Sequence, residues 1–266
     1  MPEIGFAAPL RGRSLLERGC DVIAGCLVAH SLLLNLGRHD DIPVNEQEQL
    51  LGIFSRERVY DAGHDLVRSG DRPAFSQLLS DGFAARYKIV SGGGRQITAI
   101  HVPGDFVDLH GFLLKKMDHG IVALSHCRVS LADHAELRTL TEKSAHLTRL
   151  LWLETLIDGA IHREWLVAMG RKSKQAHLAH LICELFLRLK AVERTSGRSF
   201  HLPLIQEEVA DVLGLSSVHL NRVLQTLRKS GAVSWRNQTV TIEDWDRLAE
   251  MAEFDPTYLN LRHEPR

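Results

Sequence analysis

The chain has 266 residues, 44% of them hydrophobic and 24% charged, with a formal net charge of −1. That length accommodates two domains with separate cores, and the composition excludes a disordered, fibrous or collagen-like chain. A near-zero charge balance excludes a globally basic nucleic-acid binder, so any surface for phosphates has to be local.

Taken in chain order, Arg11, Arg13 and Arg18 precede an apolar run from Val22 to Leu36. It is too short to span a bilayer, is broken by His30, Ser31 and Asn35, and is followed by no small-residue cleavage site. The run reads as a peripheral amphipathic helix, residues 1–30 as an N-terminal extension, and the whole as a cytoplasmic protein without a membrane segment. Four widely spaced cysteines, Cys20, Cys26, Cys127 and Cys183, fit a reducing compartment better than a disulfide framework.

From Ser55, short β-prone runs alternate with Gly and Asp turns, as in Asp65-Leu-Val-Arg-Ser-Gly-Asp and Arg95-Gln-Ile-Thr-Ala-Ile-His. Turn signals about 8 to 12 residues apart predict an antiparallel β-roll or barrel over residues 31–137. Past Ala135 the period becomes helical for more than thirty residues. Leu140, Leu147, Leu150, Glu154, Ile157, Ile161 and Ala168 fall on one seam at a/d-like spacing, with a second stripe at Trp152, Leu153, Leu156 and Ala160. Two apolar faces need two partners. One can be the chain's own roll; the first seam is assigned to the same helix of a second subunit, making residues 138–170 a dimerisation helix, the alternative being a helix buried within one chain. Glu154 on that seam is expected to meet its own copy and weaken the dimer. A further helix from Gln175 to Lys190 turns Leu178, Leu181, Ile182, Leu185 and Leu189 one way.

The last third, residues 171–260, carries the strongest local signal. Gln206 to Leu213 has a helical apolar face ended by Gly214, a residue suited to the left-handed position that closes a helix. Ser216 is placed to cap a second helix through its hydroxyl. Two β-prone runs around Arg236-Asn237-Gln238 follow, completing a winged helix-turn-helix. Between Ser216 and Arg236 stand Arg222, Arg228, Lys229 and Arg236 and no acidic residue, as a surface meeting phosphates requires. A helix-packing corner or a protein-binding scaffold remain the other readings, and steep weakening of binding by salt separates them. An enzyme finds no support: no nucleophile–base pair or metal motif stands out, and Ser91-Gly-Gly-Gly is a turn.

This layout, from about residue 31 to 260, resembles the Crp/Fnr superfamily of bacterial transcription regulators. The resemblance rests on Leu202-Pro-Leu-Ile-Gln-Glu-Glu-Val-Ala-Asp-Val-Leu-Gly-Leu-Ser, on Asn221-Arg222 followed by Leu224-Gln-Thr-Leu-Arg, on Val102-Pro-Gly-Asp-Phe, and on the closing Ile242-Glu-Asp-Trp-Asp-Arg-Leu. It implies an α+β chain with an N-terminal cyclic-nucleotide-binding-type roll, a long central dimerisation helix and a C-terminal winged helix reading a palindrome in double-stranded DNA. It also implies a homodimer with RNA polymerase as protein partner. By the family pattern Ser217, Val218, Asn221 and Arg222 face base edges, with Arg222 the guanine reader and Asn221 suited to adenine. Ser216, His219, Arg228, Lys229 and Arg236 are expected on phosphates.

The departures bear on the signal. Members that bind cyclic AMP carry Gly-Glu and, about ten residues on, Arg-Ser or Arg-Thr; here those positions hold Asp108-Leu109 and His119-Gly120. Leucine accepts no ribose hydroxyl, and Asp108 is expected to repel the phosphate. No cofactor is predicted. An iron–sulfur cluster lacks a suitable set of four thiolates, because the Cys20-x5-Cys26 spacing departs from that of the family's oxygen sensors. His110, His119, His126 and His134 crowd one region, and the alternative is a redox- or metal/haem-responsive sensor of the same family using Cys or His of the roll.

Overall fold

The computed structural model describes residues 23–265, and their side chains from His30 onward. Helices α1 (Ile23–Gly37) and α2 (Val44–Gly52) precede the strands β1 (Phe54–Tyr60), β2 (Asp65–Val67), β3 (Phe75–Asp81), β4 (Ala84–Ile89) and β5 (Arg95–His101). After a single helical turn α3 (Gly111–Leu114) come β6 (Gly120–Ala123) and β7 (Cys127–Asp133). These strands pair antiparallel in two sheets, ordered β1-β7-β3 and β2-β6-β4-β5, which close the expected roll. Its interior is lined by Leu79, Ile121, Val129 and Leu131, none of which is exposed. Among the described residues no helix is long and apolar enough to cross a membrane.

The first helix is not peripheral. Leu32, Leu33 and Leu36 of α1 are buried, and so are Ser31 and Asn35. The Val102-Pro-Gly-Asp turn of the roll lies directly on it. Gly104 there has φ +96°, and a Cβ at that position would come within 2.8 Å of the Ser31 carbonyl oxygen, so both the conformation and the space require glycine. The limit drawn at residue 30 falls inside α1; residues 1–22 lie outside the described residues.

The long helix is two helices. α4 (His134–Lys143) ends at Ser144, whose extended backbone (φ −119°) breaks the run, and α5 (Ala145–Arg171) restarts with the Leu147 N–H donating to Ser144 Oγ at 3.1 Å. A serine competes with the helical backbone for its own hydrogen bonds, which makes it a poor interior residue and a good cap.

The predicted seam is correspondingly reassigned. Leu140, now on α4, and Leu147, Leu150, Ile157, Ile161 and Ala168 on α5 are each at most 7% exposed under cover of their own chain. Glu154 turns inward too: it accepts from Asn35 Nδ2 at 2.9 Å and lies 3.6 Å from His39 Nε2. It therefore faces α1 rather than a second copy of itself. Of the second stripe, Trp152 and Leu156 stand 64% and 55% exposed while Leu153 and Ala160 are half-buried, and Leu166, 72% exposed, extends the open face. The a/d count found the stronger apolar face, and the stronger face was claimed by the chain's own roll.

Helix α6 (Lys174–Ala191) is not one-faced: every residue from Ala176 to Leu189 is buried, which places it between roll, α5 and winged domain. The winged domain adds β8 (Ser199–His201), α7 (Gln206–Leu213), α8 (Ser217–Lys229), β9 (Val233–Arg236), β10 (Thr239–Ile242) and α9 (Trp245–Ala252), with sheet order β8-β10-β9. The outer strand β8, which the sequence does not announce, is too short to carry an alternating pattern.

Candidate nucleic-acid interface

The two helices of the motif are set by local chemistry. Glu208 Oε2 accepts from the Ile205 N–H at 2.9 Å, closing the start of α7. Gly214 ends it in the left-handed region (φ 62°, ψ 46°), its N–H donating to the Ala210 carbonyl. The chain then turns into α8 without the expected Ser216 cap: the Ser216 hydroxyl pairs with His219 Nδ1 at 3.2 Å instead of with a backbone N–H.

Leu220, Val223, Leu224 and Leu227 form the buried side of α8. The opposite side presents Ser217, Val218, Asn221 and Arg222 to solvent, flanked by Ser216, His219, Gln225, Arg228 and Lys229. Val218, an apolar residue, stands 65% exposed, off the packing face and in line with Asn221 and Arg222. In the wing, Asn237 and Gln238 both have positive φ (47° and 61°), the two-residue hairpin turn that favours Asn. Exposed Arg236 ends the strand just before it. Arg222, Arg228, Lys229 and Arg236 make no ion pair among the described residues. A helix end carrying two amide- or guanidinium-type readers, ringed by uncommitted cations, has the chemistry of groove entry.

A second polar site lies under α5. A cavity of about 360 Å³ is walled by Arg86, Lys88, His101, His110, His119, Asp158 and His162 among others. Three of its cations are matched with carboxylates. Arg86 Nη1 lies 3.1 Å from Asp158 Oδ2 and 3.0 Å from His162 Nε2; Lys88 lies 3.1 Å from Asp118; Arg188 meets Asp105 at 2.5 Å. Burial, aided by Arg86, lowers the His110 imidazole to about 4, and for the same reasons His119 lies below the ordinary histidine range. The His110 and His119 Nε2 atoms are 3.2 Å apart, one neutral ring donating to the other. Asp108 is not in this cavity. It turns into the roll, where it accepts from the Gln77 backbone N–H and from Gln77 Nε2, and burial raises it to about 7. The expected repulsion by Asp108 thus does not arise; an incoming anion meets Arg86, Lys88 and Arg188 already engaged by carboxylates, and Arg38, whose Nε donates to His39 Nε2 at 3.0 Å.

The four histidines of the sequence cluster separate. His110 and His119 touch, whereas His126 pairs with Asp61 at 3.1 Å and His134 with Ser76 Oγ at 3.1 Å. No group of three metal-ligating side chains forms among the described residues. Cys127 and Cys183 are buried free thiols, the former donating to the Phe83 carbonyl, and burial raises both. Protonated thiols in separate apolar cores do not suit a shared cluster. The side chains of Cys20 and Cys26 lie outside the described residues.

Sequence comparisons agree with this geometry. Residues 57–144 match a family model described as cyclic nucleotide-binding domain, and residues 176–251 match one described as Crp-like helix-turn-helix domain. The transcriptional activator protein FnrL of Cereibacter sphaeroides is 28% identical over 202 residues, covering 74% of this chain and 81% of that protein. The fumarate and nitrate reduction regulatory protein of Escherichia coli K12 is 27% identical over 211 residues, 78% of this chain and 83% of that one. In fold, the solved structure of FixK2 from Bradyrhizobium japonicum superposes with a TM-score of 0.66 at 22% identity, covering 74% and 96% of the two chains. A roll, a long helix and an exposed recognition helix in that order, with both halves matched by family, make this chain a member of the Crp/Fnr superfamily of DNA-binding transcription regulators.

Proposed function

We propose that the protein acts in the cytoplasm as a homodimer that reads an inverted repeat in double-stranded DNA and answers to no cyclic nucleotide. The observation that carries the reading is the exposed face of α8, where Ser217, Val218, Asn221 and Arg222 line up between unpaired cations. Arg222 makes a bidentate pair to guanine O6 and N7, Asn221 takes an adenine, and Val218 packs on a thymine methyl. Ser216, His219, Arg228, Lys229 and Arg236 hold phosphates and set the register. Two such helices related by a two-fold axis occupy successive major grooves about 34 Å apart.

The dimer forms through the open face of α5, on which Trp152, Leu156, Leu166 and Val167 stand exposed. RNA polymerase is the protein partner that family membership implies. Leu109 at the edge of the cavity and the paired state of Arg86 speak against a cyclic nucleotide, whose phosphate needs an uncommitted cation.

Selection of bound sequences from a random DNA pool tests the reading. The expected outcome is an inverted repeat bound by a dimer, with affinity falling steeply between about 50 and 200 mM salt and unchanged by cyclic AMP. Leu156→Glu should yield a monomer that has lost the repeat. A wild-type protein that stays monomeric both free and on DNA overturns it.

A further inference from the structure

Beyond α9 the chain does not trail away from the winged domain. It turns at Glu253 (φ 47°), forms a 3-10 turn over Pro256–Leu259 and returns across α5 and α6 to the roll. It is fastened at four places. At the joint between α5 and α6, Lys172 Nζ donates to the Ala252 and Glu253 carbonyls at 2.8 and 2.9 Å and lies 3.1 Å from His180 Nδ1. On α6, the Tyr258 hydroxyl donates to Glu184 Oε2 at 2.8 Å, its ring stacked on His180. Under α5, Leu259, 1% exposed, forms part of the cavity wall. At the loop after α1, the Glu264 N–H donates to the His39 carbonyl at 3.0 Å, and His263 lies 3.5 Å from Asp41.

The Tyr258 contact continues inward. Glu184 also accepts from Trp165 Nε1 of α5 at 3.1 Å and meets Arg188 at 3.1 Å; Arg188 in turn reaches Asp105 of the roll at 2.5 Å. A buried polar chain therefore runs from the segment after α9, through α6, to the turn that packs on α1. Buried groups of this kind tolerate few alternative arrangements, because any shift leaves a charge without its partner. The winged domain meets the rest of the chain covalently only where α5 gives way to α6 at Lys172–Ser173. Rotation about that joint would have to pull this segment out of the cavity wall and off the roll.

We propose that residues 253–264 are a strap that sets the angle of the winged helix against the roll, so that displacement of Leu259 from within the cavity is felt at the recognition helix. With the strap fastened the reading face of α8 is open, so the fastened arrangement is the DNA-competent one, and loosening it costs affinity through lost preorganisation. The inference rests on the DNA-binding reading, but its first readout does not.

Hydrogen exchange and operator affinity of full-length Leu259→Asn and Tyr258→Phe test it. In Leu259→Asn, exchange over residues 257–264 and across the α5–α6 joint should rise about tenfold while the roll strands keep their protection. Operator affinity should fall about fivefold, with non-specific DNA affinity nearly unchanged. Tyr258→Phe, which keeps the ring and removes the hydroxyl, should move both readouts the same way by less, and it carries the test alone if Leu259→Asn fails to fold. A strap that exchanges faster while operator affinity stays at the wild-type value overturns the proposal. So does unchanged exchange across the joint in variants that fold. A wild-type protein with no operator at all overturns the DNA reading instead.

Discussion

The recognition face of α8 and the cavity under α5 are built from the same residue types and arranged in opposite ways. On α8, Arg222, Arg228 and Lys229 stand exposed with no carboxylate in contact. In and beside the cavity, buried Arg86 and Arg188 are each joined to a carboxylate at 3.1 Å or less, whereas Lys88 meets Asp118 at the exposed rim. A cation left free in water is available to a phosphate and costs the fold almost nothing. A buried cation must be paired, and once paired it holds the architecture together and has little left for a ligand. Arginine identity alone therefore says nothing about role; what distinguishes the two regions is who already occupies the guanidinium.

The comparison breaks most visibly at Arg188. Arg188→Met leaves the carboxylates of Asp105 and Glu184 buried without their cation, and one such broken pair costs about 3–5 kcal/mol. The expected outcome in chemical denaturation is a large loss of stability, whereas Arg222→Met should stay within about 0.5 kcal/mol of wild type. Equal effects at the two positions would show that the cavity's pairs are not structural.

On the DNA side the order reverses. Arg222→Ala should cost about 1–3 kcal/mol on the specific site and relax preference at one G·C pair. Arg228→Ala should weaken binding to every sequence alike and reduce the salt slope by about one. Competition binding against single-base operator variants distinguishes them, and loss of selectivity in both would undo the division into base and phosphate contacts.

A third test uses pH. Burial raises the Asp108 carboxyl to about 7 in the folded chain, against about 3.9 when unfolded. The folded state binds the proton more tightly, so the stabilisation by the protonated form is complete below about pH 4 and is lost as pH rises through about 7. Asp108→Asn has no ionisable group there. Its melting temperature relative to wild type should therefore climb between pH 5 and pH 8, and a pH-independent difference would mean that Asp108 stays ionised throughout.

The degree to which these regions were legible in the sequence follows the same division. In the winged helix the two helices around Gly214 were legible, because turn and helix chemistry is local, whereas β8 and the Ser216 hydroxyl, which caps no backbone N–H, were not. The alternating roll was legible for the same reason. What a periodicity count could not supply was the identity of the partner. The seam through Leu147, Ile157 and Ile161 met its own roll rather than a second subunit, and α1 was buried because the glycine turn at Gly104 needed something to lie against. The pairing of Arg86 with Asp158 spans 72 positions of sequence, and Asp108 turned away from the cavity toward Gln77, 31 positions before it. Neither leaves a trace in local spacing.

Glu154 gives the smallest effect and the sharpest sign. On a dimer seam its removal would tighten self-association, since two carboxylates facing each other repel. In the structure it accepts from Asn35 Nδ2 and approaches His39, tying α5 to α1, so it acts within one chain. Glu154→Ala should then leave the monomer–dimer constant unchanged and lower stability by about 1 kcal/mol or somewhat more, the cost of a buried amide losing one acceptor. Asn35 retains the Gly104 carbonyl at 3.2 Å, which keeps the loss modest. Sedimentation across a dilution series together with thermal melting decides between the two positions of this carboxylate. A tighter dimer with an unchanged melting temperature would return Glu154 to the interface.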